Sequence, residues 1–268
     1  MLTGLEALAL GIVQGATEFL PVSSSGHLKI TEQLFHFKPG TEWIPFELAC
    51  HLGTLFAVLV VFRKDIMPLF SSERFTLLLI AIALVPLFLC YPLLESIKEV
   101  SAHPRYIGLF FFATAALLFL GERLCLAPLE AVATRKKQCA TAFAIGFFQT
   151  LALFPGVSRS GSTMSAARFL GWKRMEAARF SFLLALPTIL MGVAYETKQL
   201  LIDPTPLHAV SPLCYLIGFA VSFIVGLLAL RWLMRHLRKG SLLLFCWYCI
   251  ALGLFSLILF NTSLLNYA

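Results

Sequence analysis

Residues 11–26 read GIVQGATEFLPVSSSG, and residues 146–161 read GFFQTLALFPGVSRSG. A shift of 135 positions, about half the chain, makes seven of these sixteen positions identical. They pair Gly11 with Gly146, Gln14 with Gln149, Phe19 with Phe154, Val22 with Val157, Ser23 with Ser158, Ser25 with Ser160 and Gly26 with Gly161. Both stretches begin apolar and are then interrupted by Pro, Gly and Ser. Self-similarity at a fixed offset marks an internal repeat, and the architecture has to be read from it.

Composition decides what solvent surrounds these breaks. The chain has 268 residues, 59% of them hydrophobic and only 13% charged, with a mean hydropathy of +0.86. That charged share is about half the usual one and is too small to cover a water-facing surface. A membrane protein follows. The apolar opening Met1–Leu20 lacks a basic leader and carries Glu6 and Glu18, so it is read as structure rather than as a signal peptide. The net charge of +7 does not indicate nucleic acid, because the basic residues are spread over loops between spans. Cys246 and Cys249 match C-x-x-C, yet in an apolar segment they read as small buried hydrophobes. The sequon at Asn261 is too common a pattern to carry weight.

Six stretches are long enough to cross the bilayer as helices: about 44–63, 75–94, 106–122, 178–198, 212–234 and 241–261. Two more, 2–35 and 139–172, are broken in the middle and are expected to be re-entrant helical hairpins. Irregular backbone at membrane depth is tolerated only where protein or a wet cavity meets its polar groups. Each half, 1–134 and 135–268, then holds one hairpin plus three spans. Three is odd, so the halves must have opposite topology. The expected fold is one all-α integral membrane domain built as an inverted-topology repeat, with its site where the breaks meet. Fifteen basic residues, from Arg63 to Lys239, fall on one side, against Lys29, Lys38, Lys98, Arg105 and Lys198 on the other. The positive-inside rule then puts both termini and the mouth of the first hairpin outside.

Shared positions suit scaffold; differences suit chemistry. Glu18 aligns with Leu153, Ser24 with Arg159 and His27 with Ser162. An arginine at membrane depth costs about 2.5–3.5 kcal/mol unless paired, so it is functional by default. The Arg159 fork, flanked by Ser158, Ser160 and Thr163 at a helix start, suits phosphate oxygens. Pairing of Arg159 with Glu18 or Glu47, merely to join the halves, is the plain alternative. Ser24 and His27 are three apart and would share a helix face, the spacing of a nucleophile and its base. Ser23 and Ser25 recur in the second half, which favours a role in satisfying freed backbone groups.

Gln14 and Glu18 are four apart and could hold a hard divalent cation, Mg²⁺ or Ca²⁺, together with phosphate oxygens. Glu47 and His51 share a face near the start of the first full span, either as outer partners of the site or as interior pairs. No His/Cys cluster has zinc spacing.

Gln14-x-x-x-Glu18 followed by PVSSSGH, with PGVSRSGST in the second half, resembles the undecaprenyl-diphosphate phosphatases of the bacitracin-resistance type. The resemblance covers essentially the whole chain. It implies hydrolysis of the C55 isoprenoid diphosphate to the monophosphate, recycling a lipid carrier for cell-wall polymers and conferring bacitracin resistance. It implies a multi-pass protein of the bacterial inner membrane with its site open to the periplasmic side. By the same resemblance Glu18 is linked to metal and catalysis, Ser24 is the nucleophile, and His27 the acid or base. Arg159 binds phosphate, with Ser158, Ser160, Thr163 and Ser25 around it. Gln14 stands at the motif's first acid position, and His51 stands where a glutamine is expected. The implied partners are the lipid substrate and membrane lipids, with a homodimer as a possible assembly.

Attack by Ser24, and direct attack by water with His27 as base, fit the sequence equally. A transporter or flippase of a polyprenyl phosphate or other anion shares the inverted plan. The presence of acid, hydroxyl and imidazole in only one repeat argues against it. A phosphatidic-acid-type phosphatase would need an Arg-Pro pair, which the chain lacks, and a histidine where Ser165 stands.

Overall fold

The computed structural model describes residues 2–35, 43–93, 97, 103, 106–124, 134–208 and 210–265. Expectations resting on Lys38, Lys98, Arg105, Cys125 and the Asn261 side chain lie outside the described residues. Every regular element among the described residues is helical.

Helix α1 (Gly4–Thr17) starts with a capping box. The Thr3 hydroxyl accepts from the Glu6 N–H, and the Glu6 carboxylate accepts from the Thr3 N–H. After a break, α2 (Ser24–Leu34) begins at the N-cap Ser23. Helix α3 (Ile44–Val61) has Pro45 in its first turn, where a missing N–H costs nothing. The short α4 (Arg63–Ile66) and the turn Met67–Phe70 bend by 99° into α5 (Arg74–Leu89). Then come α6 (Ile107–Arg123), α7 (Arg135–Thr150) and, past the second break, α8 (Arg159–Phe169). Helices α9 (Arg174–Ile202), α10 (Pro212–Lys239) and α11 (Leu243–Leu265) complete the chain.

Four helices are long and apolar enough to cross a bilayer: Ile44–Val61, Arg174–Ile202, Pro212–Lys239 and Leu243–Phe260. Large apolar side chains such as Leu5, Phe88, Leu216, Trp247 and Ile258 stand exposed on the outer surface, as lipid-facing groups do. The chain is a multi-pass membrane protein. The expectation of six full spans is thus supported directly for four. Helices α5 and α6 have 16 and 17 residues, shorter than the about 20 that span the hydrocarbon without help. The helix before the second break also begins earlier than expected, at Arg135, where Thr134 caps it.

Small residues let the helices approach closely, as membrane packing requires. Gly11 of α1 faces Gly218 and Val221 of α10, and Gly53 of α3 faces Phe219 and Ser222 of the same helix. Gly146 of α7 faces Ala83 of α5. The Gly11–Gly218 contact and the Gly146–Ala83 contact are related by the same 135-position shift as the two sequence stretches, with the halves exchanged. The helix before each break therefore packs on a helix from the other half of the sequence. Ion pairs tie the helix ends where basic residues collect. Arg174 meets Glu122 at 2.5 Å, and Arg179 meets Asp65 at 2.7 Å and Glu73 at 3.0 Å.

Candidate active site

The two breaks are built alike. Ser23 Oγ accepts from the Gly26 N–H at 3.5 Å, and Ser158 Oγ accepts from the Gly161 N–H at 3.0 Å. Each is an N-cap, which satisfies a donor that the helix leaves open. The breaks also touch. The Gly156 N–H donates to Ser23 Oγ at 3.1 Å, and Ser160 Oγ donates to the Leu20 carbonyl at 3.2 Å. Thr114 of α6 supports the second break, donating to the Gly156 carbonyl and accepting from the Ser158 N–H. Freed backbone groups are thus met inside the protein, as their depth demands.

One carboxylate gathers the polar side chains of both breaks. Glu18 Oε1 accepts from the Arg159 guanidinium at 2.7 Å. Glu18 Oε2 accepts from the Ser24 hydroxyl at 2.7 Å and from the Gln14 amide at 2.9 Å. His51 Nε2 lies 3.9 Å from the same oxygen. The Gln14–Glu18 contact is the i, i+4 neighbour relation of a helix. The Arg159–Glu18 contact spans the two halves, so it is both the expected convergence and the plain pairing alternative.

Glu18 and Arg159 open onto a polar chamber of about 330 Å³, lined also by Glu47, His51, Thr188 and Glu196. Beside it lies a more apolar cavity of about 770 Å³. Arg159, His51, Thr188 and Glu196 border both, while Leu87, Phe88, Leu153 and Met191 line only the second. A charged pocket joined to an apolar one has the chemistry of a lipid with a charged head.

His27 departs from expectation. Its Nδ1–H donates to the Ser23 carbonyl at 2.7 Å, since a carbonyl can only accept. Nε2 then accepts from the Tyr248 hydroxyl at 2.7 Å. Both ring nitrogens are occupied away from Ser24, and Phe111 lies edge-on to the ring. The expected Ser24–His27 contact is absent among the described residues. The reason is local: Ser24 is the first residue of α2, so its hydroxyl reaches back across the break to Glu18. His27 instead holds Ser23, the single non-glycine among the described residues with positive φ, at 68°. That region is costly for an L-residue, and the His27 hydrogen bond helps to fix it.

The side chains of the expected phosphate cradle all have partners within the protein. Ser158 and Thr163 are buried; Ser158 caps α8, and Thr163 bonds the Arg159 carbonyl and Ser181. Ser160 is spent on Leu20, and Ser25, though exposed, contacts Ser23 Oγ at 3.3 Å. None of the four lines the chamber. Their hydroxyls are engaged within the protein, where they hold the break and the start of α8. Gln14 and Glu18 lie side by side, and the buried Gln14 Oε1 has no hydrogen-bond partner among the described residues. Gln14 turns its N–H, not its oxygen, toward Glu18, and both Glu18 oxygens are engaged. Among the described residues no group of three or more His, Cys, Asp and Glu side chains is placed to hold a metal ion; the carboxylates that line the chamber are Glu18, Glu47 and Glu196.

Sequence reasoning missed Glu196, Thr188 and Tyr248. Glu196 carried a usable signal, a lone carboxylate in an apolar span. Tyr248 carried none, since a tyrosine in an apolar helix is ordinary and its partner lies 221 residues away.

The chain is similar to known proteins over nearly its whole length. The family model described as "Bacitracin resistance protein BacA" matches residues 7–255. A protein of Protochlamydia amoebophila named undecaprenyl-diphosphatase is 39% identical, over 96% of this chain and 98% of its own length. Proteins of the same name from Korarchaeum cryptofilum and Halothermothrix orenii are 35% and 34% identical, over 93% and 95% of this chain and 96% and 97% of their own lengths. The chain belongs to the bacitracin resistance protein BacA family.

Proposed function

We propose that this chain hydrolyses undecaprenyl diphosphate to undecaprenyl phosphate and inorganic phosphate, recycling the lipid carrier and conferring bacitracin resistance. The observation that carries this reading is the Ser24–Glu18–Arg159 chain of contacts at a chamber that shares a wall with a more apolar cavity. Phosphate release from the C55 diphosphate by purified protein is its test. A flippase of a polyprenyl phosphate would release none.

In the proposed reaction the terminal phosphate binds the Arg159 fork and competes with Glu18 for it. Glu18, loosened from Arg159, takes the Ser24 proton as Oγ attacks phosphorus. The anhydride P–O bond breaks, its electrons leave with the prenyl monophosphate, and Glu18 returns the proton to that leaving oxygen. Water then attacks the phosphoserine, giving its proton to Glu18, and Glu18 hands it to Ser24 as phosphate departs. Attack by water alone, with Glu18 as base, would use the same groups without the covalent step. Trapped phosphoserine at Ser24 separates the two. Ser158, Ser160, Ser25 and Thr163 serve by fixing the breaks, and His27 by fixing Ser23. A divalent cation, Mg²⁺ or Ca²⁺, would be held by one or two protein carboxylates, Glu18 and Glu47, with phosphate oxygens, and would supply neutralisation of the transferring phosphoryl.

The fuller architecture belongs to the same proposal. It has six full spans with re-entrant hairpins α1–α2 and α7–α8, in inverted repeats 1–134 and 135–268. The exchanged contacts Gly11–Gly218 and Gly146–Ala83 support it. The basic-residue asymmetry supports both termini outside and a site facing the periplasmic side of the inner membrane. Membrane lipids cover the outer apolar faces, and a homodimer is part of the same proposal.

A further inference from the structure

Gln149 ends α7 and is 1% exposed, yet it borders the apolar cavity beside Arg159. Its Oε1 lies 3.5 Å from the Thr188 hydroxyl, and its Nε2 has no hydrogen-bond partner. A buried donor without an acceptor is rare in a native fold and calls for an explanation. The repeat supplies one. Gln14, its equivalent 135 positions earlier, gives its N–H to a carboxylate oxygen of Glu18. Leu153 stands where Glu18 would be in the second half, so the protein provides no anionic oxygen there.

We propose that Gln149 binds an anionic oxygen of the ligand, namely the phosphate that stays on the prenyl chain. This rests on the diphosphatase reading above and deepens it. With the terminal phosphate at Arg159 and the chain among Leu87 and Phe88, the retained phosphate lies between them, along the wall that Gln149 shares with Arg159. Thr188 gives its hydroxyl proton to the Leu184 carbonyl at 2.8 Å and lies 3.5 Å from the Gln149 amide, which leaves the amide N–H₂ available to a ligand. Arg159 thus holds the phosphate that leaves, and Gln149 the one that remains.

The test uses purified full-length protein and two product inhibitors, undecaprenyl monophosphate and inorganic phosphate. For Gln149→Leu the inhibition constant of the lipid monophosphate should rise about tenfold or more, the worth of one hydrogen bond to a charged group. That of inorganic phosphate should stay within about twofold of wild type, since it reports Arg159. Gln149→Glu should weaken the lipid further, because a carboxylate repels the retained phosphate. Thermal unfolding shows whether each variant is folded, and Gln149→Met repeats the reading if Leu is not. A folded variant with wild-type affinity for the monophosphate, or one that loses both inhibitors equally, overturns the assignment. Wild-type protein that releases no phosphate sinks the diphosphatase reading itself. Direct binding of the monophosphate, by native mass spectrometry, keeps the two failures apart.

Discussion

Ser24 Oγ donates to Glu18 Oε2 at 2.7 Å, and the other oxygen of that carboxylate is held by Arg159 at 2.7 Å. The hydroxyl has its proton acceptor in place before any ligand arrives, while the acceptor is restrained by the group that a phosphate would engage.

Glu18→Gln keeps the shape but removes the base. The turnover number should fall by about 10²–10⁴-fold, the range for a general base. The half-buried guanidinium of Arg159 also loses its charged partner, which should lower the melting temperature. Phosphate release and thermal unfolding in detergent read the two effects. A Gln variant with near-normal turnover would remove Glu18 from the chemistry.

His27 and Tyr248 make a different expectation. Tyr248→Phe deletes one hydrogen bond to the ring and should cost about 0.5–1.5 kcal/mol of stability, with turnover reduced less than tenfold. His27→Ala should cost more, because it also frees the strained Ser23 carbonyl. Unfolding midpoints alongside rates decide the matter. Turnover abolished at unchanged stability would place His27 in the reaction rather than in its support.

Much of this was legible in the sequence. The 135-position shift singled out Glu18, Ser24 and Arg159 and brought them together, because a break at membrane depth must be met by another part of the protein. What misled was the spacing rule for Ser24 and His27. It holds inside a helix, whereas Ser24 opens one and faces back over six residues to Glu18. The serines around Arg159 read as phosphate donors because caps and anion sites use the same residue types. Only coordinates show that their hydroxyls are already spent. Partners joined by the fold alone, such as Tyr248 with His27, leave no local pattern to read.

Packing can be tested away from the chamber. A Cβ at Gly53 would collide with Ser222 Oγ and the Phe219 carbonyl, whereas one at Gly4 would sit 3.7 Å from Ile217. Gly53→Ala should therefore destabilise by roughly 1–3 kcal/mol, and Gly4→Ala should be close to neutral. Equal melting temperatures for the two would contradict the close α3–α10 contact.

The cation is tested by removal. Phosphate release should fall on chelation and return with Mg²⁺ or Ca²⁺, and Glu47→Gln should raise the cation concentration needed. Full activity after exhaustive chelation would leave neutralisation to Arg159 alone.

The most direct measurement is phosphate release from undecaprenyl diphosphate by folded Ser24→Ala protein beside wild type. A fall of at least about 100-fold is expected if the Ser24 hydroxyl attacks phosphorus with Glu18 as its base. Release by Ser24→Ala at close to the wild-type rate would contradict it.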